Sequence, residues 1–270
     1  MRFPLRWMGV MLLSAVVVQP GCGSPARRVS APAVAPVDRS EVAAAFAERG
    51  KFLRSLRALA KLRYTDPHER YSSRQAIAVA RPDRVRVEVT TMLGTAFVLA
   101  ARDRRLTAYW PEENTAFEGL ATPEHVWRYT RLWMPLETLV ELLLAVPAAG
   151  RAEPTRCPEE NTPYVCVRQT SAGLGAIVVA LDARGLPVEV EERGAVDGTV
   201  LWRARYLDYT QDTVPPAAEH IVIDVPRYHR SVTLQLSEIE VNPPLGDDVF
   251  ALGLPAGVRL VDLDEQEDGE

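Results

Sequence analysis

The residues with the most reactive side chains are few, and none of them is spaced for catalysis. His68-Glu69 begins like the zinc-protease motif His-Glu-x-x-His, but Ser72 stands where the second histidine is required. Gly173-Leu174-Gly175 lacks the third glycine of a dinucleotide-binding loop, because Val178 occupies that position. The sequence also contains no Gly-x-Ser-x-Gly elbow and no phosphate loop. We therefore predict no catalytic residues, no metal site and no cofactor, and we do not expect an enzyme.

The first cysteine points to lipid attachment. A positively charged start precedes the apolar stretch Trp7–Val18, which is too short to span a bilayer and is typical of a secretory signal. The following Gly21-Cys22 resembles the lipobox of bacterial lipoproteins, although Gln19-Pro20 departs from it. We predict a signal peptide over residues 1–21, with Cys22 lipidated as the new N-terminus. The alternative is an ordinary cleaved signal followed by an incidental cysteine.

The other two cysteines predict a covalent brace. Cys157 and Cys166 flank a loop that contains Asn161 and Pro163. Because an exported chain meets an oxidising compartment, we predict a disulfide between them. Two free thiols, or zinc ligands that lack their partners, are the alternatives.

Composition excludes two classes of protein. The chain has 270 residues, 47% apolar and 25% charged, which is globular rather than disordered. Its net charge of −5 offers no basic surface for nucleic acid. Removal of residues 1–21 takes away two arginines and makes the charge −7, so we expect no nucleic-acid partner.

The chain divides into four predicted parts. Residues 1–21 form the signal, and residues 22–39 are the lipidated cysteine with a Pro/Ala-rich tether. Residues 40–261 form one domain, and residues 262–270 are a solvated acidic tail. We expect the lipid on Cys22 to anchor the domain to a membrane through this tether. No segment after the signal has 18 continuous apolar residues, so we expect no span of the bilayer.

A helix is predicted at the start of the domain. Ser40 is a plausible N-cap for it. Phe46, Leu53, Leu56 and Ala60 then recur at intervals of seven, three and four, which corresponds to one face of a helix. This interpretation extends the helix to residue 60.

A period of two follows from Tyr71 onward. Val85, Val87 and Val89 alternate with polar residues, and similar short segments recur to Val241. A leucine-rich helix over Leu136–Val146 interrupts them. We predict an α+β fold in which about nine to eleven strands form a curled antiparallel sheet, an incomplete barrel. The N-terminal helix and leucine-rich lid helices would close it.

Two segments carry a resemblance to a known family. Arg84–Thr95 resembles the strand–loop–strand of LolB, the outer-membrane lipoprotein receptor. Leu93 and Gly94 match the exposed leucine and the following glycine of that loop, whereas Met92 replaces a proline. Trp133–Leu136 and the leucines before Pro147 resemble the lid region of the same family. The resemblance covers roughly residues 53–147.

The resemblance implies a fold and a set of site residues. LolB and its soluble relative LolA share an incomplete antiparallel barrel with an apolar cavity for acyl chains, closed by helices. Leu93 and Gly94 would then form a loop that touches the bilayer during transfer. The predicted cavity and lid residues are Val87, Val89 and Phe97 on the sheet, and Trp133, Leu136, Leu139 and Leu143 on the lid.

The resemblance also implies a function that needs no covalent chemistry. We expect a lipoprotein anchored in the outer membrane and facing the periplasm. It would bind acylated lipoprotein clients, with a LolA-like soluble donor and membrane lipid as further partners. The alternatives are a carrier of another lipid or glycolipid, and a structural or sensor lipoprotein with a solid core.

Overall fold

The computed structural model describes residues 38–158, 164–171 and 175–265; Cys22 and most of the predicted tether lie outside these ranges. The helices are α1 (Arg39–Phe52), α2 (Pro123–Thr130) and α3 (Leu136–Leu143). The strands are β1 (Ser55–Thr65), β2 (Arg70–Ala80), β3 (Arg84–Thr91), β4 (Gly94–Arg102), β5 (Arg105–Trp110), β6 (Thr115–Leu120), β7 (Glu153–Thr155), β8 (Val165–Ser171), β9 (Gly175–Leu181), β10 (Pro187–Arg193), β11 (Val200–Tyr209), β12 (Ala218–Val225), β13 (Arg230–Val241) and β14 (Arg259–Asp262). Among the described residues, no helix has the length and apolarity to cross a membrane.

The first helix differs from its prediction at both ends. Asp38, not Ser40, is the N-cap, and its Oδ1 accepts a hydrogen bond from the Ser40 amide at 2.8 Å. The helix ends at Phe52, so the extension to residue 60 is wrong. Leu56 and Ala60 are buried on β1, where Ala58 between them is buried as well. An interval of four fits both a helix and a strand, and the residue at the midpoint decides between them.

One sheet contains all the described strands. Its order is β14-β6-β5-β4-β3-β2-β1-β13-β12-β11-β10-β9-β8-β7, and neighbours are antiparallel except β14 and β6, which are parallel. The sheet has 14 strands, more than the nine to eleven predicted. Part of the difference is β1, because the spacing of Leu56 and Ala60 predicts a helix there. The rest comes from β7 and β14, which are too short to show a period, and from β6, whose buried residues do not alternate.

Contacts of the lid show that the sheet curls. Helix α3 contacts β2 and β3, and Tyr206 on β11 donates a hydrogen bond to the Leu142 carbonyl of the same helix at 2.8 Å. β3 and β11 are five steps apart in the sheet order, which is about 24 Å in a flat sheet, whereas a helix is about 10 Å wide. Both strands reach one helix because the sheet wraps around it. In the described chain its terminal strands, β14 and β7, are not paired with each other, so the predicted incomplete barrel is confirmed.

The C-terminal segment stays packed beyond the predicted domain boundary at Val261. That residue lies inside β14, which pairs with β6. Leu263 is fully buried, and an Asp264 carboxylate oxygen accepts a hydrogen bond from the Leu120 amide at 2.9 Å. The described start of the predicted acidic tail is therefore part of the sheet edge and not a solvated segment.

Candidate functional site

An apolar cavity lies between the concave face of the sheet and the lid helices. Its volume is about 310 Å³. Strands β1–β4, β12 and β13 form one wall, and the end of α2, the following loop and α3 form the other. The lining residues are Leu62, Tyr71, Ser73, Gln75, Ile77, Val85, Val87, Val89, Phe97, Leu99, Tyr129, Thr130, Leu132, Leu139, Leu143, Ile223, Val232 and Leu234. Most of these side chains are hydrocarbon, so the cavity suits an apolar ligand.

The exposure of the lining side chains shows which way the cavity opens. Val85 is buried at its floor, and Val87 and Val89 are progressively nearer to the end of β3, where both are half-buried. On β2 the floor residue Ile77 is buried, while Tyr71 at the opposite end of the lining is 42% exposed. The mouth is therefore at the end of the strands where Tyr71 lies.

The antiparallel pairing places several turns at this end. We call it the tip end; it contains the turns at residues 66–69, 92–93, 111–114 and 226–229. The opposite end, called the base end, contains the turns at residues 81–83, 103–104 and 210–217. The cavity opens at the tip end, beside the β3–β4 turn.

Five of the seven predicted cavity and lid residues line this cavity: Val87, Val89, Phe97, Leu139 and Leu143. Leu136 is buried, but it lies in the core and borders a separate hollow near Leu120 and Pro123. Trp133 is not a lining residue. It is 60% exposed on the outer side of the loop between α2 and α3, with its ring 6.4 Å from that of Trp127. The prediction that Trp133 belongs to the lid residues around the cavity is therefore corrected: it lies in the lid loop, but its side chain points away from the cavity.

An aromatic cluster that the sequence analysis missed holds α2 over the sheet. The rings of Phe97 and Trp110 lie 4.7 Å apart, and Trp110 lies 5.7 Å from Tyr129 on α2. Phe117 contacts Trp110 edge-on at 5.4 Å. Burial raises the pKa of Tyr129, because the phenolate would lose its hydration there. Such ring pairs stabilise by about 1 kcal/mol each beyond the area they bury, so the cluster fixes α2 on its sheet side.

A second aromatic pair borders the mouth. Tyr64 and Tyr71 stack with their centroids 5.1 Å apart, and the Tyr64 hydroxyl donates to an Asp66 carboxylate oxygen at 2.8 Å. Desolvation, with this hydrogen bond, raises the pKa of Tyr64 to about 12. Amide hydrogen bonds from His68 and Glu69 lower the pKa of Asp66. The turn beside the mouth is thereby held in one arrangement.

Polar contacts fasten the C-terminal end of the lid. Arg151 binds both carboxylate oxygens of Glu141 at 2.8 Å, and the Ala148 amide donates to Glu141 at 3.1 Å. Arg49 on α1 donates to the Ala145 carbonyl at 3.3 Å. Burial lowers the pKa of Arg49. We call Arg49, Glu141, Arg151 and Tyr206 the polar clasp.

Close packing at a glycine supports this clasp. A Cβ atom on Gly50 would lie 2.4 Å from the Cβ of Ala149, so only glycine allows α1 to approach the lid end this closely. From the sequence alone, Gly50 is only a residue that weakens the helix. Together with the polar clasp, this contact fixes one end of the lid against α1.

The predicted insertion loop lies at the tip end. The Thr91 hydroxyl accepts the Leu93 amide at 3.2 Å and donates to the Gly94 carbonyl at 3.1 Å, which closes a two-residue turn. Gly94 has φ +119°, a conformation that favours glycine. Met92 and Leu93 are fully exposed. The turn therefore presents two large apolar side chains to solvent beside the cavity mouth.

Cys157 and Cys166 form a disulfide with a Cα–Cα distance of 5.1 Å. Cys166 lies on β8, and Cys157 follows β7, so the bond ties the end of the sheet together. Near it are more polar hollows lined by charged side chains. Glu191 there accepts hydrogen bonds from Arg193 at 2.9 Å and Arg203 at 2.6 Å. Glu191 is itself buried, and the two guanidinium groups neutralise its charge. Because these hollows present charged groups whereas the cavity under the lid presents apolar surface, we take the apolar cavity as the candidate site.

The described residues offer no site for a metal ion. Within residues 38–158, 164–171 and 175–265, no group of three or more His, Cys, Asp or Glu side chains is arranged to hold a metal ion. The described cavity lining likewise contains no histidine, cysteine or carboxylate. What the site offers to a ligand is apolar surface, with a few hydroxyl and amide groups.

Comparison with known proteins gives the fold a name. No protein-family profile and no curated protein matches the sequence. A LolA superfamily protein from Nitrosomonas europaea has a similar structure, with a TM-score of 0.57 and 15% identity over 78% of this chain and 97% of that one. The chain has the fold of the LolA superfamily.

Two further solved structures agree. A domain from Vibrio parahaemolyticus described as an outer-membrane lipoprotein-sorting protein gives a TM-score of 0.56 at 14% identity, over 79% of this chain and 97% of that one. A DUF1329 family protein from Desulfovibrio piger gives 0.56 at 9% identity, over 80% and 97%. At these identities the likeness establishes the LolA-type fold alone.

Proposed function

We propose that this protein is a lipoprotein, anchored through Cys22 in the outer membrane and facing the periplasm, that binds acyl chains of client lipoproteins and helps insert them into that membrane. One observation carries the proposal. An apolar cavity opens at the same end as an exposed apolar turn, Met92-Leu93. Acyl chains cannot cross water unshielded because their apolar area would be hydrated, and a cavity with a lid shields them without covalent chemistry. A LolA-like soluble protein is the proposed donor.

The cavity volume limits what it can hold with the lid in this position. If each heavy atom of a ligand takes roughly the 30 Å³ that a water molecule takes in the liquid, about 310 Å³ holds on the order of ten carbon atoms. Each buried methylene contributes about 0.8 kcal/mol. Affinity for fatty acids should therefore rise with chain length and level off once the cavity is full. Longer or multiple chains would require displacement of the loop between α2 and α3, because the aromatic cluster holds α2 and the polar clasp holds the C-terminal end of the lid.

Uptake is tested by filling the cavity. Val87→Phe adds a ring to the lining wall and should weaken fatty-acid binding by about tenfold, because methylenes that were buried would stay hydrated. Thr90→Phe adds the same ring at an exposed position of the same strand and is the matched control. Binding measured by calorimetry should be normal in the control. Equal binding in both variants would place the ligand elsewhere.

Release is tested at the turn. Leu93→Glu should leave fatty-acid binding unchanged but block transfer of a labelled client lipoprotein from a LolA-like donor into vesicles, because a carboxylate opposes entry into the bilayer. Val214→Glu changes an equally exposed apolar residue at the base end and serves as the control. Full transfer by the Leu93 variant would remove this residue from the mechanism, and failure of the wild-type protein to accept any client would reject the proposed function.

A carrier of another amphiphile is the second candidate, and two polar side chains favour it. Gln75 and Ser73 lie in the lining, and the Gln75 amide donates to the Ser73 hydroxyl at 3.0 Å. These groups could hydrogen-bond a polar substituent near the mouth. Mass spectrometry of organic extracts from protein purified without detergent separates the two candidates, since a glycolipid and a protein-linked acyl chain differ in mass and in their link to protein.

A further inference from the structure

A second surface at the tip end joins aromatic rings and arginines. Trp127 lies at its centre, with the guanidinium carbons of Arg131 and Arg230 each 6.0 Å from its ring centroid. Arg230 also lies 5.0 Å from the ring of Tyr228, and Arg227 lies 5.7 Å from the same ring. We call Trp127, Arg131, Trp133, Arg227, Tyr228 and Arg230 the aromatic–arginine patch.

The patch is exposed and carries surplus positive charge. Trp133 is 60% exposed and Tyr228 is 51% exposed. The acidic group nearest to its arginines among the described residues is Asp66, 3.9 Å from Arg230. That carboxylate already accepts hydrogen bonds from the Tyr64 hydroxyl and from the His68 and Glu69 amides. Among the described residues, these three arginines thus have one carboxylate within ion-pair distance, and it is already engaged, on a chain whose net charge is −5.

The patch adjoins the cavity mouth on the side opposite the β3–β4 turn. Thr130 and Leu132 line the cavity, and Arg131 lies between them with its side chain exposed. In the sheet order, the β3–β4 turn and the β12–β13 turn that carries Arg227 and Tyr228 flank the strands of the cavity wall. Two different surfaces therefore border one opening: an apolar turn on one side and the patch on the other.

We propose that the aromatic–arginine patch docks on an anionic lipid surface and holds the cavity mouth against the bilayer. Tryptophan and tyrosine favour the interface between headgroups and acyl chains, where an apolar ring and a polar edge are both satisfied. Guanidinium groups pair with phosphate in a bidentate manner. Because the rest of the chain is net negative, an anionic membrane attracts this patch and repels other faces, which sets the orientation. The inference rests on the proposed function and adds the surface that orients it.

The effect of charge can be given a size. Each arginine near an anionic bilayer strengthens attachment about fivefold, so removal of three should lower the ratio of docked to undocked protein on the order of a hundredfold. Salt should also weaken docking, because Arg131 and Arg227 are exposed and Arg230 is partly exposed. The triple variant Arg131→Gln, Arg227→Gln, Arg230→Gln tests this. Its matched control is Lys51→Gln, Arg54→Gln, Arg104→Gln, which removes the same charge at the base end.

The experiment uses the full chain as its host processes it, reconstituted in vesicles of brominated phosphatidylcholine with or without phosphatidylglycerol. The Trp133 signal is the difference in fluorescence between the wild type and Trp133→Phe. We expect bromine to quench this signal only in vesicles that contain phosphatidylglycerol, and we expect the base-end control to behave as wild type. The patch variant and high salt should both abolish the quenching.

Three outcomes would overturn the inference. The first two are equal quenching of the Trp133 signal in neutral and anionic vesicles, and no quenching in either kind of vesicle. The third is a patch variant that is still quenched but no longer binds a soluble donor protein. Binding of a fluorescent fatty acid, measured in parallel, shows that each variant is folded. It also separates the two proposals. A wild type that docks but binds no fatty acid contradicts the proposed function alone, and one that binds fatty acid but docks without regard to charge contradicts the patch alone.

Discussion

The two halves of the sheet use the same concave face in different ways. Under β7–β11 the face is filled: Val190, Trp202 and Tyr206 are buried, and Phe46 on α1 packs in the same core. Under β1–β4 the corresponding face is left open, and valines at the same kind of position line an empty space of about 310 Å³. The filled half supplies stability, and the open half supplies a site. The difference lies in what covers each half. Helix α1 packs directly on the filled half, whereas the short helices α2 and α3 lie over the open half and leave a space beneath them.

The largest expected effect is a loss of stability on truncation of a core side chain. The loss in the free energy of unfolding should be larger in the filled half than in the open half. Phe46→Ala removes a buried ring from the filled half and should lower the free energy of unfolding by about 3–5 kcal/mol, because a closed cavity remains. Leu139→Ala removes a smaller apolar group from the cavity wall, where the new space joins an existing opening. We expect a loss of about 2 kcal/mol, mainly the transfer contribution. Urea unfolding measures both, and equal losses would contradict the comparison.

The sequence predicted the open half better than the polar contacts that fasten it. Val85, Val87 and Val89 alternate with polar residues, and such alternation identifies the buried face of a strand from the local sequence alone. The prediction for Trp133 is wrong in direction: its neighbours Met134 and Leu136 are buried, but adjacency in a loop does not specify where a side chain points. The sequence predicts a helix where β1 lies, because buried residues at an interval of four satisfy both periods. In each case local spacing determined the prediction, and tertiary packing decided the outcome.

The polar clasp shows a different limit. Arg49 bonds to a carbonyl 96 residues away. A sequence pattern ranks a lone arginine on a helix as solvated, because nothing nearby signals its partner. The aromatic cluster of Phe97, Trp110 and Tyr129 is likewise formed by separate elements. Such pairs become visible only when the sheet order is known.

A smaller effect is expected where the two halves meet. Tyr206→Phe removes the hydrogen bond to the Leu142 carbonyl and should cost about 1 kcal/mol. The loss should be concentrated locally: amide hydrogen exchange at residues 142–149 should accelerate more than in the rest of the core. Tyr109→Phe removes a hydroxyl bonded to Asn114 at 3.3 Å, away from the lid, and is the matched control. Uniform acceleration in the Tyr206 variant would mean that this contact does not fasten the lid end.

The smallest effect concerns pH and belongs to the filled half. Burial raises the pKa of Glu192, and the Trp202 indole, which donates to its Oε2 at 2.5 Å, opposes that rise. A carboxyl whose pKa is raised by folding contributes stability that is fully present below its ordinary value, about 4.3, and is lost as pH rises through the folded value. Glu192→Gln keeps an acceptor for the indole and cannot ionise. Its stability should therefore fall less than that of the wild type as pH rises from 4 toward neutrality.

The neighbouring indole gives a test of the opposite sign. Trp202→Phe removes the hydrogen bond that favours the carboxylate, so the pKa of Glu192 should rise further and the loss of stability with rising pH should become steeper. Its overall stability will also drop, because Trp202 is buried, but the dependence on pH is read separately from that drop. Urea midpoints across this pH range measure both variants. If the urea midpoints of both variants depend on pH in the same way as those of the wild type do, folding does not raise the pKa of Glu192. The Glu192 carboxyl would then remain hydrated in the folded state.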